Sequence, residues 1–129
     1  MRRLPVGAEV APEGGVHFRV WAPRRERVTV LTVDAPRRRR EFVEMEPEPG
    51  GYFSGVIDDA GAGTRYRYLL DDDPKPYPDP ASRFQPEGPH GPSEVVDPRA
   101  FRWSDGGWRG VGAEGQVLYE MHVGTFTPE

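Results

Sequence analysis

Hydrophobic and polar positions alternate with a period of two through the front half of the chain. In "VHFRVW", Val16, Phe18 and Val20 alternate with His17, Arg19 and Trp21. That spacing predicts a half-buried strand, which Pro23 ends because it has no N–H to give a ladder. "RVTVLTV" (residues 27–33) is β-branched and predicts a second strand. "REFVEME" predicts a weaker one, with Val43 and Met45 opposite Phe42 and Glu44, and "EPEPGG" predicts a turn. "GYFSGVID" sets Phe53, Gly55 and Ile57 on one face, and "RYRYLLD" alternates Arg65 and Arg67 with Tyr66 and Tyr68. Short strands separated by turn signals indicate a β-sandwich. No stretch between Gly15 and Asp73 shows the caps and 3.6-residue period of a helix.

The pattern breaks after Leu70. Residues 71–115 are turns, prolines and isolated aromatics, a long run for a structureless loop inside a compact domain. Within it lies "PDPASRFQPEGPHGPSEVVDP". Proline restricts φ and lowers the entropy lost on ordering, so this run is expected to follow one path as a shaped connector. Phe84 and the Val95–Val96 pair are its expected anchors, with Arg83 and Gln85 satisfying backbone groups. "QVLYEMHVGTF" (residues 116–126) then reads as a strand that is apolar on both faces, as in a buried parallel sheet. With no partner strand it is expected to pack on the sandwich, pair with a second copy or stay loosely held.

Composition narrows the class. The chain has 129 residues, room for one ordinary domain, and its 15 prolines and 16 glycines suit short strands and many turns. It has no cysteine, which excludes a disulfide framework or thiolate site. Net charge is −4, which argues against a nucleic-acid partner. "MRRLPVGAEV" has no apolar stretch behind its arginines and no window is long enough to span a bilayer, so a cytoplasmic protein without a membrane partner is expected.

Few residues suggest chemistry. The run from Asp71 to Asp73 is followed at once by Pro74 and Pro76, so a solvated hairpin tip fits better than a calcium loop. Arg37 to Arg40 is followed by Glu41, Glu44, Glu46 and Glu48, and reads as a charged turn. His17, His90 and His122 have no metal-ligand spacing. No metal, cofactor or catalytic motif is expected. Trp21, Tyr52, Trp103 and Trp108 could stack on sugar rings, and packing would explain each equally well.

"GVHFRVWAP" and "GTRYRYLLD" resemble strands of the immunoglobulin-like, early-set N-terminal domains of α-amylase-family enzymes (glycoside hydrolase family 13). Such domains are grouped with carbohydrate-binding module 48. "YEMHVGTFTPE" resembles the first strand of that family's (β/α)8 barrel. The run from Pro78 to Pro98, with "FRWSDGGWRG" after it, resembles the maltooligosyltrehalose trehalohydrolases within it. Glycogen branching and isoamylase-type debranching enzymes share only the "FRVWAP"-like and "DPYA"-like pieces.

The resemblance implies an all-β fold: an early-set sandwich over residues 1–73, a proline-rich connector over 74–115, and a truncated first barrel strand over 116–129. It implies a non-catalytic module of a hydrolase that frees trehalose by cutting an α-1,4 bond. The catalytic Asp, Glu and further Asp of such enzymes lie on later barrel strands, so no catalytic residue is expected here. The implied partners are the chain's own barrel domain and an α-glucan, with Trp103 and Trp108 as candidate sugar contacts.

Overall fold

The computed structural model describes residues 4–34 and 41–126; the expected turn at Arg37 to Arg40 lies outside them. The strands are β1 (Gly7–Val10), β2 (Val16–Trp21), β3 (Val28–Asp34), β4 (Phe42–Glu44), β5 (Glu46–Glu48), β6 (Tyr52–Ile57), β7 (Arg65–Leu70) and β8 (Ser93–Glu94). They form two antiparallel sheets, ordered β1-β2-β6-β5 and β4-β3-β7-β8.

The period-two residues make the core as expected. Val16, Phe18 and Val20 of β2 and Phe53 and Ile57 of β6 are buried against Val28 and Val30 of β3 and Tyr66 and Tyr68 of β7. Phe18 meets Tyr66 edge-on, with ring centroids 4.9 Å apart, a favoured aromatic geometry. "REFVEME" is not one strand. Glu44 pairs with Thr29 in the second sheet, whereas Glu46 pairs with Ser54 in the first. The chain crosses between sheets at buried Met45, whose N–H donates to the Val28 carbonyl (2.9 Å). The expected turn after it therefore begins only past Glu48, and Pro47 is tolerated because β5 is an edge strand.

The sandwich also extends beyond Asp73. Tyr77 exchanges backbone hydrogen bonds with Tyr68 (2.7 and 2.8 Å), and β8 pairs with β7. The buried Asp79 carboxylate accepts from the Tyr66 hydroxyl (2.6 Å), the Tyr68 hydroxyl (3.4 Å) and the Ala81 N–H (2.7 Å). Its own N–H donates to the Ser93 hydroxyl (2.9 Å). Burial pushes the Asp79 carboxyl above its ordinary range, against the pull of these donors and of Arg83. Val95, fully inside, completes this run from Tyr77 to Val95, a strap held against the second sheet, with its N–H donating to the Thr64 carbonyl. Arg83 donates to the Ala8 carbonyl (2.7 Å) and Gln85 to that of Pro89 (3.1 Å), as expected. Phe84 is 48% exposed and is no anchor; the polar Asp79 takes that place.

After a 3-10 turn at Pro98–Ala100, residues 101–126 are exposed throughout. The strand expected over residues 116–126 is absent. Val117 and Leu118 are more than nine-tenths exposed, and Val123–Phe126 forms one helical turn, α1. A strand's N–H and C=O groups must be met by a neighbour, and among the described residues none lies alongside. The segment does not pack on the sandwich.

Candidate functional site

The outer face of the first sheet carries a cluster of polar and aromatic side chains. Alternation along β2 turns His17, Arg19 and Trp21 outward, and the register sets them opposite Val56, Ser54 and Tyr52 of β6. Glu48 of β5 pairs with Tyr52 on the other side. The Arg19 guanidinium donates to Glu48 at 2.9 Å through Nε and lies 2.7 Å from it through Nη2. It also donates to the Pro5 carbonyl (2.6 Å) and stacks 3.8 Å from the centre of the Tyr52 ring. The hydrogen bond from Arg19, helped by Ser54, holds the Glu48 carboxyl below the usual carboxylate range. Arg19 thereby covers one face of Tyr52.

Trp21 is 58% exposed and fixed in place. Its indole N–H donates to the Gly50 carbonyl (3.0 Å), and the next residue's N–H donates to Gly51 (2.8 Å). Beside it a crevice of about 210 Å³ is lined by Val6, Val20, Trp21, Pro80 and Ala81. At the other end of the face a cleft of about 390 Å³ is bordered by Glu9, Glu13, His17 and Asp58.

The sequence-derived sugar candidates separate. Trp21 and Tyr52 become cross-strand neighbours. Trp103 (75% exposed) and Trp108 (68% exposed) lie on the stretch after Ala100, where Trp103 meets Phe101 edge-on at 4.8 Å. They do not join the sheet face. Sequence reasoning missed the crevice, because its walls come from three separated segments; only the "WAP" and "DPA" prolines signalled shaped backbone there.

Residues 5–98 match the family model described as carbohydrate-binding module 48 (isoamylase N-terminal domain). The chain is 42% identical over 131 residues to a malto-oligosyltrehalose trehalohydrolase of Rhizobium sp. (strain M-11), covering 97% of this chain and 21% of that protein. It is 44% identical over 117 residues to one from Saccharolobus solfataricus, covering 91% and 20%. A solved structure described as a candidate alpha amylase from Salmonella typhimurium aligns with a TM-score of 0.78 at 38% identity, covering 98% of this chain and 20% of that one. The chain spans about a fifth of the length of the curated relatives it matches.

Proposed function

This chain belongs to the carbohydrate-binding module 48 family, and from that premise we infer that it is the N-terminal, non-catalytic module of a maltooligosyltrehalose trehalohydrolase. The observation that carries this reading is the pairing of two facts. Identity to trehalohydrolases of 42% and 44% runs over nearly the whole chain, yet that chain is only a fifth of their length. The complete protein is then a cytoplasmic glycosidase that cuts an α-1,4 bond to release trehalose. Residues 116–129 contribute the first strand of its barrel once neighbouring strands supply partners. The module's own work is structural: a sandwich closed by its strap gives the following domain a fixed starting point.

One experiment separates this from the alternatives. The chain alone, incubated with maltooligosyltrehalose, should release no trehalose, whereas the full-length polypeptide should release it. Trehalose from the chain alone overturns the assignment of catalysis to the remainder. A full-length protein that transfers glucan branches or removes them would identify a branching or debranching enzyme instead. The exposed indoles of Trp103 and Trp108 favour a second reading, α-glucan contact by the connector. It requires that maltooligosaccharide at millimolar concentration change tryptophan fluorescence, and that Trp103→Ala with Trp108→Ala abolish the change.

A further inference from the structure

We propose that Asp105 is a site of spontaneous aspartate isomerisation, where the backbone reroutes through the side chain to give an isoaspartyl residue. Asp105 is the one aspartate in the sequence followed by glycine, whose missing Cβ leaves its amide nitrogen open to approach. The chemistry needs no co-reactant but water. The Gly106 nitrogen attacks the Asp105 carboxyl carbon, a C–N bond forms, and the carboxyl hydroxyl leaves as water with the amide proton. Water then opens the five-membered imide. Opening at the side-chain carbonyl restores aspartate. Opening at the main-chain carbonyl leaves the chain running through Cγ, with one more backbone atom and a free α-carboxylate.

The structure leaves this pair unrestrained and restrains other aspartates. Residues 101–109 are all exposed, and a Cβ on Gly106 or Gly107 would meet nothing within 4 Å. Their turn is closed by the Trp108 N–H, which donates to the Asp105 main-chain carbonyl (2.7 Å). Among the described residues nothing bonds to the Gly106 N–H or to the Asp105 carboxylate, so both reacting groups are available. Elsewhere one reactant or the other is withheld. Asp73, Asp79 and Asp97 precede proline, which has no N–H to give up. The Asp79 carboxylate is moreover the latch between the strap and two tyrosine hydroxyls. The amide after Asp59 donates to the Ile57 carbonyl (3.2 Å), and the amide after Asp72 to that of Leu70 (3.1 Å). The Asp71 carboxylate is held by the N–H groups of Glu26 and Arg27.

The test ages the chain in buffer at physiological temperature for several weeks and then digests it with trypsin. Cleavage after Arg102 and Arg109 releases the peptide Trp103–Arg109, in which Asp105 is the only aspartate. A second chromatographic form of this peptide should appear, unchanged in mass. It should accept a labelled methyl group from an isoaspartyl carboxyl methyltransferase supplied with its sulfonium methyl donor. The sequence holds no asparagine, so deamidation, the other route to isoaspartate, is not a source. Gly106→Ala should slow the conversion about tenfold by crowding the closing ring, whereas Gly107→Ala should stay within about twofold of the parent. Neither added Cβ meets a neighbour, so both variants keep the fold. The proposal is overturned if no second form appears or if Gly106→Ala converts as fast as the parent. Equal methyl acceptance by peptides carrying the other aspartates also overturns it. The readout needs neither sugar nor turnover, so its outcome is independent of the trehalohydrolase reading.

Discussion

Asp79 shows how one side chain can decide where a chain goes. Its carboxylate meets two tyrosine hydroxyls whose residues are 1% and 2% exposed. Asp79→Ala would leave both hydroxyls buried without that acceptor, and a buried unsatisfied group costs about 1–3 kcal/mol. The expected loss is about 3 kcal/mol in chemical denaturation, with the strap loosened. Asp79→Asn keeps an acceptor and should lose much less; equal losses would show that the latch bonds are not what holds the strap. The pH dependence follows from burial. The carboxyl is raised in the folded protein, so the folded state binds its proton more tightly than the unfolded one. Its contribution to stability is greatest below the ordinary carboxyl value of about 3.9 and falls as pH rises from there through the folded value. Asn lacks that slope, so the difference between Asp79→Asn and the parent should shift towards Asn on going from acid to neutral pH. Nothing in the sequence marked Asp79: it sits among prolines and looks like a turn residue. Arg83 and Gln85 were legible there as hydrogen-bonding residues because a proline-rich run leaves carbonyls in need of donors.

At the scale of elements, the β5–β6 turn shows why apparently similar positions differ. Gly50 and Gly51 both have φ +81°, a region costing a non-glycine residue about 1–2 kcal/mol. A Cβ on Gly50 would meet only the Tyr52 ring, at 3.7 Å, whereas one on Gly51 would lie 2.5 Å from the Pro23 Cβ and 2.7 Å from its Cα. Gly50→Ala should therefore cost about 1 kcal/mol. Gly51→Ala should cost about 3 kcal/mol or more, because the proline backbone has no room to give. Thermal unfolding of the two variants checks this, and equal shifts would remove the steric argument. The same turn positions Trp21, so Gly51→Ala should also disturb the crevice. Strands were legible wherever alternation was long, as in β2, β6 and β7. β1 and β8 were not, since four and two residues cannot establish a period. The switch of "REFVEME" between sheets was hidden because alternation records faces, not which sheet a face belongs to.

At the scale of the whole molecule, two regions of different character adjoin near Ala100. Up to Val95 the described residues are joined by ladders, the latch and one core; from Pro98 to Phe126 every residue is exposed. Amide hydrogen exchange should follow this division. The N–H groups of Tyr66, Tyr68 and Val95 should be protected together, and those of residues 101–122 should exchange at nearly free rates. Protection over 116–126 equal to that of β7 would show a ladder there and restore the strand. Periodicity fixed the sandwich and its two-faced strands, because the alternation of side chains is a property of the local backbone. Composition divided the chain at the wrong kind of landmark, since prolines mark a shaped path without saying what the path touches. Only the tertiary structure could join Asp79 to Tyr66, set Pro80–Ala81 across from Trp21, and leave residues 116–126 without a ladder. Each depends on which distant groups come within hydrogen-bonding or packing distance, and no local pattern carries that information.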